Sequence, residues 1–451
     1  MLSLVVPCYN VGRYIDDFLQ SLIRQTIGFD SVEVVLVDDG STDDTGARAM
    51  SWADRHPGSI AYVRQQNAGL AAARNAGLSR ARGEWISFPD PDDLLAPDYL
   101  EKVIGNITRF GPHETAIVAC KIIHFYETTG ETADDHVLTY RFAKGPTAQR
   151  IGEMTFIQLQ VATAFFKRRS IIDWELWFDP KIRPGFEDAH FTNRYLVRCP
   201  QDQVAVFAAD SVYAYRKRAS GDSLQDTATS TPEFWTSQPT DGWLDLLRDS
   251  KRHLGHVPGY VARTVLYNIK GHLRILLDPL QSDTVAPDLQ AAFAKTLEAV
   301  VSYLGAEAIR NGAPGFRHRF QLGLLNRYAL GAMTHGVVYV IDWRPNSQMA
   351  RVEWFAPSDR VEISAIVNGK ASPWIDAQRA EHRLFGATFY YSHEAWVHVT
   401  GQLAIIDTAG KAVRLRGPKN AKHPRAISIA DLERWTPPGR DKGRILAAEA
   451  D

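Results

Sequence analysis

Trp85-Ile86-Ser87-Phe88-Pro89-Asp90-Pro91-Asp92-Asp93 is a short apolar run that breaks into three carboxylates. Its aromatic and β-branched start suits a buried strand, and the mixture of proline and aspartate suits the turn that ends it. Three anions this close repel one another unless a cation or solvent compensates. Two readings stand at this point. A divalent ion can bridge the acids to substrate phosphates, because Mg2+ and Mn2+ prefer carboxylate and phosphate oxygens. Alternatively the segment is a solvated turn.

The same form recurs upstream. Residues 2–6 are an apolar run that leads into Pro7-Cys8-Tyr9-Asn10, and residues 32–37 lead into Asp38-Asp39-Gly40-Ser41-Thr42. Between these runs the apolar period changes from that of a strand to that of a helix. Ile15, Phe18, Leu19, Leu22 and Ile23 share one helical face, and residues 47–52 predict a helix capped by Ser41 or Thr42. An Ala-rich helix over 69–79 and another over 99–107 follow, with strands at 60–63 and 116–123. Strands that alternate with helices predict an α/β fold with a mainly parallel sheet covered on both faces. Such sheets bind ligands at the carboxyl ends of their strands, where the acidic and polar segments lie.

Composition agrees with a multidomain globular chain. There are 451 residues, 45% hydrophobic and 23% charged, and Lys+Arg 51 against Asp+Glu 52 gives a net charge of −1. That balance argues against a protein that grips nucleic acid by overall charge. Cys8, Cys120 and Cys199 are scattered and read as buried thiols in a reducing compartment. The start of the chain has no basic leader, and no stretch has the length and apolarity of a membrane span. The expectation is a cytoplasmic protein, with association at the inner face of the membrane left open. No GxxxxGK[ST] loop is present, which disfavours a P-loop NTPase.

Four further segments carry candidate chemistry, each with a plainer alternative. Asp39 can accept hydrogen bonds from a nucleobase or ribose, or cap a helix. Arg74, on the helix opened by Asn67-Ala68-Gly69, can face a nucleotide or form a surface ion pair. Glu187-Asp188 follows a Pro-Gly break and offers a general base or a solvated helix start. Tyr215-Arg216-Lys217-Arg218 offers cations to a leaving phosphate, or is a charged loop.

Taken in order, Val5-Val6-Pro7-Cys8-Tyr9-Asn10, Val37-Asp38-Asp39-Gly40-Ser41-Thr42-Asp43, Asn67-Ala68-Gly69 with Ala73-Arg74-Asn75-Ala76-Gly77, Asp90-Pro91-Asp92-Asp93 and Glu187-Asp188 resemble the family 2 glycosyltransferases of the GT-A (Rossmann-like) fold. The resemblance covers about the first 220 residues. It implies transfer of a sugar, with inversion, from a nucleotide-diphosphate donor, a UDP-sugar by family habit, to a hydroxyl of a glycan or cell-surface polymer. It also implies that Pro7, Tyr9 and Asn10 line the nucleoside pocket, that Asp39 hydrogen-bonds the base or ribose, that Asn67 is among the donor-binding residues, that Arg74 lies near the base and diphosphate, and that Asp90 faces the ribose and sugar. Asp92 would bind Mn2+ or Mg2+, Asp188 would be the base with Glu187 beside it, and Arg216 and Arg218 would meet the departing diphosphate. Two other readings remain: a non-catalytic nucleotide-sugar or glycan-binding protein, and a nucleotidyltransferase, which would release pyrophosphate.

The chain divides by pattern into 1–230 as the catalytic domain, 231–319 as a helical linker domain and 320–451 as a β-rich domain. Short β-rich runs at 337–341, 352–355, 361–367, 395–399, 403–406 and 413–415, with an Asn368-Gly369 turn, predict a small antiparallel sandwich or barrel. This layout is similar to that of wall-teichoic-acid glycosyltransferases, whose tails mediate oligomerisation. The resemblance implies a homo-oligomer or an acceptor-binding role for the tail. Trp343, Trp354, Trp374 and Trp396 are either core or platforms for sugars or a second subunit, with core the default on alternating strands. Lys411, Arg414, Arg416, Lys419, Lys422 and Arg425 form an acid-free basic stretch that suits a solvated loop, a phosphate-rich polymer or an anionic membrane surface.

Overall fold

The computed structural model describes residues 1–219, 228–331, 336–417 and 424–435. Its contacts divide the chain into two compact units, residues 1–265 with 295–303, and residues 266–294 with 304 onward. The helical stretch expected at 231–319 therefore supplies residues to both units.

In the first unit, β1 (Leu2–Cys8) and β2 (Val32–Asp38) are buried along their whole length. A strand covered on both faces needs a continuous apolar run, and that is what Leu4-Val5-Val6 and Val34-Val35-Leu36-Val37 supply. β3 (Ile60–Arg64), β2, β1 and β4 (Trp85–Ser87) pair in parallel in that order. The sheet continues through β9 (Ala164–Lys167), β6 (Thr115–Tyr126) and β10 (Val204–Lys217), and ends on β5 (Leu94–Leu95). β6 and β10 are parallel, whereas β9 is antiparallel to both of its neighbours. The sheet is thus mainly parallel, as the alternating pattern requires. β9 and the terminal β5, which pairs antiparallel with β10, are among the exceptions, and the four-residue Ala-Phe-Phe-Lys run of β9 is too short to show a period.

The helices lie where the 3.6-residue spacing places them. α1 (Ile15–Ile23) buries Ile15, Phe18, Leu19 and Leu22, and its last residue, Ile23, turns out to solvent. α2 (Thr45–Arg55) starts later than expected, with Asp44 at the cap position and no side-chain cap bond. Ser41 and Thr42 serve the loop instead. Ser41 Oγ accepts the Asn10 N–H at 3.1 Å, and the Thr42 N–H donates to Asn10 Oδ1 at 2.9 Å. α3 (Leu70–Leu78) packs so closely on the sheet that a Cβ built at Gly77 would stand 2.3 Å from Val5 Cγ1. Gly77→Ala is therefore expected to destabilise the protein by about 1–3 kcal/mol through overpacking, read as a lower urea midpoint with an unchanged slope. α4 (Tyr99–Phe110), α5 (Arg168–Asp173) and α6 (Glu187–Arg198) complete the helices used below.

The second unit holds two sheets. One has the order β15 (Ile375–Leu384), β16 (Ala387–His398), β12 (Met349–Ala356), β11 (Val337–Arg344), β18 (Arg414–Arg416). The other has the order β14 (Lys370–Ser372), β13 (Ile363–Val367), β17 (Leu403–Asp407), β19 (Ala426–Ile427). Val338, Val352, Trp354 and Val397 from the first sheet share one core with Ile363, Ala365, Leu403 and Ile405 from the second, which makes a sandwich. Nearly every strand pair is antiparallel, β11 with β18 being parallel. Asn368 (φ 50°) and Gly369 (φ 78°) form the tight turn between β13 and β14, the positive-φ pair that a two-residue hairpin requires. β15 is almost wholly exposed, and its Gln-Arg-Ala-Glu-His-Arg sequence carries no strand alternation. Trp343 and Trp354 are core residues, and Trp374 stacks on Trp354 with ring centroids 5.1 Å apart. Trp396 is half-buried under the Arg344 guanidinium, 4.2 Å from its ring. In the basic stretch Lys411, Arg414, Arg416 and Arg425 are exposed, while Lys419 and Lys422 lie outside the described residues. Among the described residues no helix is long and apolar enough to cross a membrane.

Candidate active site

The exits of β1 and β2 are tied into one loop system. Pro7 is buried within β1, Tyr9 is half exposed, and Asn10 takes a left-handed conformation (φ 53°) that asparagine tolerates. Asp38 is fully buried and accepts from the Ser41 N–H at 2.8 Å and the Tyr62 hydroxyl at 3.0 Å. Asp39 is also buried, and its carboxylate is heavily engaged. It accepts from Gln65 Nε2 (2.7 Å), the Ala68 N–H (2.9 Å) and the Gly69 N–H (2.8 Å). A carboxylate has about four acceptor positions, so roughly one remains for a ligand. Asn67 lies exposed beside it and closes against Gly40, whose added Cβ would meet the Asn67 backbone nitrogen at 2.8 Å.

The acidic segment after β4 is held from three sides. Asp93 is completely buried and accepts from the Tyr213 hydroxyl at 2.7 Å and the Arg216 N–H at 2.8 Å. Burial raises its carboxyl well above the ordinary range, and the charges of Asp92 and Asp90 add to the shift. Asp93 anchors the loop to β10, a role that its place in an acidic run does not reveal. Arg216 is buried as well. Its Nε donates to the Asp92 carbonyl oxygen at 2.6 Å and its Nη2 pairs with Asp17 at 3.0 Å. Its guanidinium thus buckles the loop to α1, where the sequence had suggested a cation open to a phosphate. Arg218 is placed differently. Its Nε and Nη2 both lie on Asp92 Oδ2, at 2.9 and 2.8 Å, and its guanidinium covers the Tyr14 ring at 4.9 Å.

Arg74 joins the two acidic segments. It is 3% exposed and contacts Glu187 Oε1 at 2.9 Å and Asp90 Oδ1 at 3.4 Å. The sequence had offered a nucleotide contact or a surface pair, and the structure shows a buried bridge between acids. Asn75, the next residue, exchanges two hydrogen bonds with the backbone of Phe178, at 2.8 and 2.9 Å. α3 therefore positions the segment that leads into α6. Gly185 (φ 72°) and Phe186 (φ 75°) turn the chain so that Glu187 and Asp188 open α6.

The titration pattern follows from this packing. Burial raises the Asp188 carboxyl to about 7, the Glu187 charge adds to the shift, and Arg74 opposes it. Asp188 Oδ1 accepts the N–H of Ala189 at 2.7 Å. Burial likewise raises Asp90 to about 6, with Arg74 lowering it and Asp92 and Glu187 raising it. Asp90, Arg74, Glu187 and Asp188 thus form one electrostatic cluster, with Asp92 acting on it through Asp90.

An acidic loop backed by arginines, next to a carboxylate poised near neutrality, can bind a cation and a phosphorylated ligand and accept a proton. The comparisons give this arrangement a context. Residues 3–173 match the model for glycosyl transferase family 2. The chain is 28% identical over 307 residues to the minor teichoic acid biosynthesis protein GgaB of Bacillus subtilis, covering 68% of this chain and 33% of GgaB. It is 31% identical over 274 residues to GgaA of the same organism, covering 60% of this chain and 59% of GgaA. The chain therefore spans between a third and three-fifths of these relatives. The crystal structure of S. aureus TarS 1-349 in complex with UDP-GlcNAc superposes with a TM-score of 0.57 at 18% identity, covering 73% of this chain and 87% of that one. TarS itself superposes at 0.55 and 15% identity, over 94% of this chain and 78% of that one. These likenesses establish a shared fold. On that fold and on the match within it, the N-terminal unit of this chain has the GT-A architecture, and its residues 3–173 are similar to glycosyl transferase family 2.

Proposed function

We propose that this protein is an inverting glycosyltransferase that moves a sugar from a UDP-sugar to a hydroxyl of a phosphate-rich cell-surface polymer. The observation that carries this reading is the Arg74 bridge, which draws the Asp90–Asp92 loop and the Glu187–Asp188 helix start into one cluster. The relatives named for teichoic acid biosynthesis and the UDP-GlcNAc complex of TarS support the acceptor class and the donor.

In this reading Tyr9, Asn10, Asn67 and Asp39 receive the nucleoside, Asp39 through its remaining acceptor position. Asp188 takes the proton of the acceptor hydroxyl as its oxygen attacks the anomeric carbon and the sugar–phosphate bond breaks on the far side. A carboxyl near 7 is matched to that task at neutral pH. The charges of Glu187 and Arg74 tune its affinity for the proton in opposite directions. Arg218 meets the negative charge that collects on the diphosphate, while Arg216 keeps the loop in register.

The acidic loop suits a hard dication held by one or two carboxylates and completed by phosphate oxygens. Asp92, with Asp90 beside it, would hold Mn2+ or Mg2+, which when bound supplies further charge against the leaving diphosphate. Among the described residues no group of three or more His, Cys, Asp or Glu is arranged to hold a metal ion, and in this reading phosphate oxygens complete the coordination. The reading places the protein in the cytoplasm, where three buried free thiols are at ease, with its polymer at the inner face of the membrane. The β-rich unit then serves acceptor binding or self-association.

The test is a panel of nucleotide sugars incubated with and without Mn2+ and a polyol-phosphate acceptor. The expected products are nucleoside diphosphate and a glycosylated polymer with inverted configuration. Pyrophosphate release would identify a nucleotidyltransferase instead, and binding without turnover would identify a non-catalytic protein.

A further inference from the structure

The second unit contains a cavity of about 470 Å³ to which Asn326, Arg327, Ser358, Asp359, Thr388 and Tyr391 contribute. Asn326 and Arg327 end the helix His318–Arg327, Ser358 and Asp359 follow β12, and Thr388 and Tyr391 belong to β16. The helix is seated closely on the sheet. A Cβ built at Gly323 would stand 2.3 Å from the Phe389 ring, and Asn326 Nδ2 donates to the carbonyl oxygens of Pro357 and Phe389 at 3.4 and 3.3 Å. The walls are therefore preformed, and the volume suits a small polar molecule.

The charges around the cavity are not evenly matched. Asp359 accepts from Arg379 Nη1 at 2.9 Å, and Glu381, which takes the Thr388 hydroxyl proton in a hydrogen bond, accepts from Arg383 Nη1 at 3.1 Å. Each acid thus has its own arginine. Arg327 differs. Its Nε is buried and has no hydrogen-bond acceptor among the described residues, and its guanidinium rests over the Tyr328 ring, 5.5 Å from the centroid, instead of on a carboxylate. A buried N–H without an acceptor is costly and marks a place that an outside acceptor can fill. Tyr391 adds a half-buried ring, Ser358 a hydroxyl, and Asp359 a carboxylate that can take hydroxyl protons. One uncompensated guanidinium calls for a single negative charge, and the other groups call for hydroxyls.

We propose that this cavity binds a hydroxylated phosphodiester, with Arg327 as its anion contact. A diester carries one negative charge, which one guanidinium fork matches, whereas a monoester would bring a second charge to a rim that already holds acids. Joined to the glycosyltransferase reading, on which this further step rests, the cavity holds one repeat of the acceptor polymer.

The experiment is calorimetric titration of the full chain with glycerophosphoglycerol, glycerol and glucuronate. Wild type is expected to bind the diester and not glycerol. Arg327→Gln is expected to weaken diester binding about tenfold or more, with Arg327→Lys between the two. Tyr391→Ala, at a half-buried strand position, is expected to weaken it several-fold and tests the same cavity should the glutamine variant fail to fold. No diester binding by wild type, affinity unchanged in folded Arg327→Gln and Tyr391→Ala, or tighter binding of glucuronate than of the diester would each overturn the inference. A second arm separates a polymer repeat from a free ester. The KM for a polyol-phosphate polymer should rise about tenfold in Arg327→Gln. Loss of diester binding without that rise would assign the cavity to a free ester and overturn the holding role. Arg327-dependent binding in a wild type that transfers no sugar would instead overturn the glycosyltransferase reading and keep the cavity.

Discussion

Asp188→Asn is expected to lower the transfer rate by roughly 10²–10⁴-fold while UDP binding stays within about twofold of wild type. The amide keeps the shape of the carboxylate and can still accept the Ala189 N–H, so the start of α6 is preserved. What it loses is the ability to take a proton. The wild-type pH profile provides a second reading of the same group. A base must be unprotonated to act, so a carboxyl raised to about 7 predicts kcat/KM that climbs through pH 7 and levels off above it. Below that point the rate falls by about tenfold per pH unit. Asn should abolish the climb along with the rate. The same shift has a consequence for stability. A carboxyl whose affinity for protons is higher folded than unfolded destabilises the fold as pH rises from its ordinary range to its folded value. Asp188→Asn should therefore raise the melting temperature more at pH 8 than at pH 5. Normal turnover by the variant, or a flat wild-type profile between pH 6 and 8, would remove Asp188 from the reaction.

Arg74→Met is expected to cost roughly 3–5 kcal/mol of folding free energy, because it leaves a buried acid cluster without its cation. The side chain is 3% exposed and its two partners come from different parts of the chain, so nothing nearby replaces it. The loss should depend on pH in a set direction. Arg74 lowers the proton affinity of Asp90 and Asp188, and without it both rise further. At pH 5 these groups are largely protonated and the missing charge matters little, whereas at pH 8 they are pressed to ionise and the full penalty applies. Urea melts at the two pH values measure this, and an equal loss at both would mean that Arg74 acts by packing over Phe178 alone. Arg74→Lys should recover part of the stability, but a single ammonium cannot span Asp90 and Glu187 as the planar fork does. In that variant the climb in kcat/KM should move above pH 7.

Two groups that the family resemblance assigns to ligands are satisfied internally in this structure. Asp39 holds the Ala68 and Gly69 N–H groups, and Asp92 holds Arg218. A buried carboxylate left without partners would be costly, so a site built to receive a ligand is stable only if something fills the place beforehand. This explains why neither residue declares its partner in the sequence. The motif names the acid, and the partner lies in another segment.

The sequence by itself determined what depends on local period and local chemistry. Continuous apolar runs made β1 and β2 central strands, the spacing of Ile15, Phe18, Leu19 and Leu22 made α1, and Asn368-Gly369 made a hairpin turn. The acids and polar residues at the strand exits followed from the same pattern. Only the tertiary structure decided which charges meet. Arg74 finds Glu187 across 113 positions, Arg216 is drawn inside while Arg218 is left at the carboxylate, and Asp93 becomes a buried anchor. It also placed β9 antiparallel between two parallel neighbours and made a strand of the polar segment β15. The physical reason is common to all of these. Periodicity is written within about ten residues, but a charge chooses among every opposite charge that the topology brings near, and an edge strand takes its shape from the neighbour it pairs with.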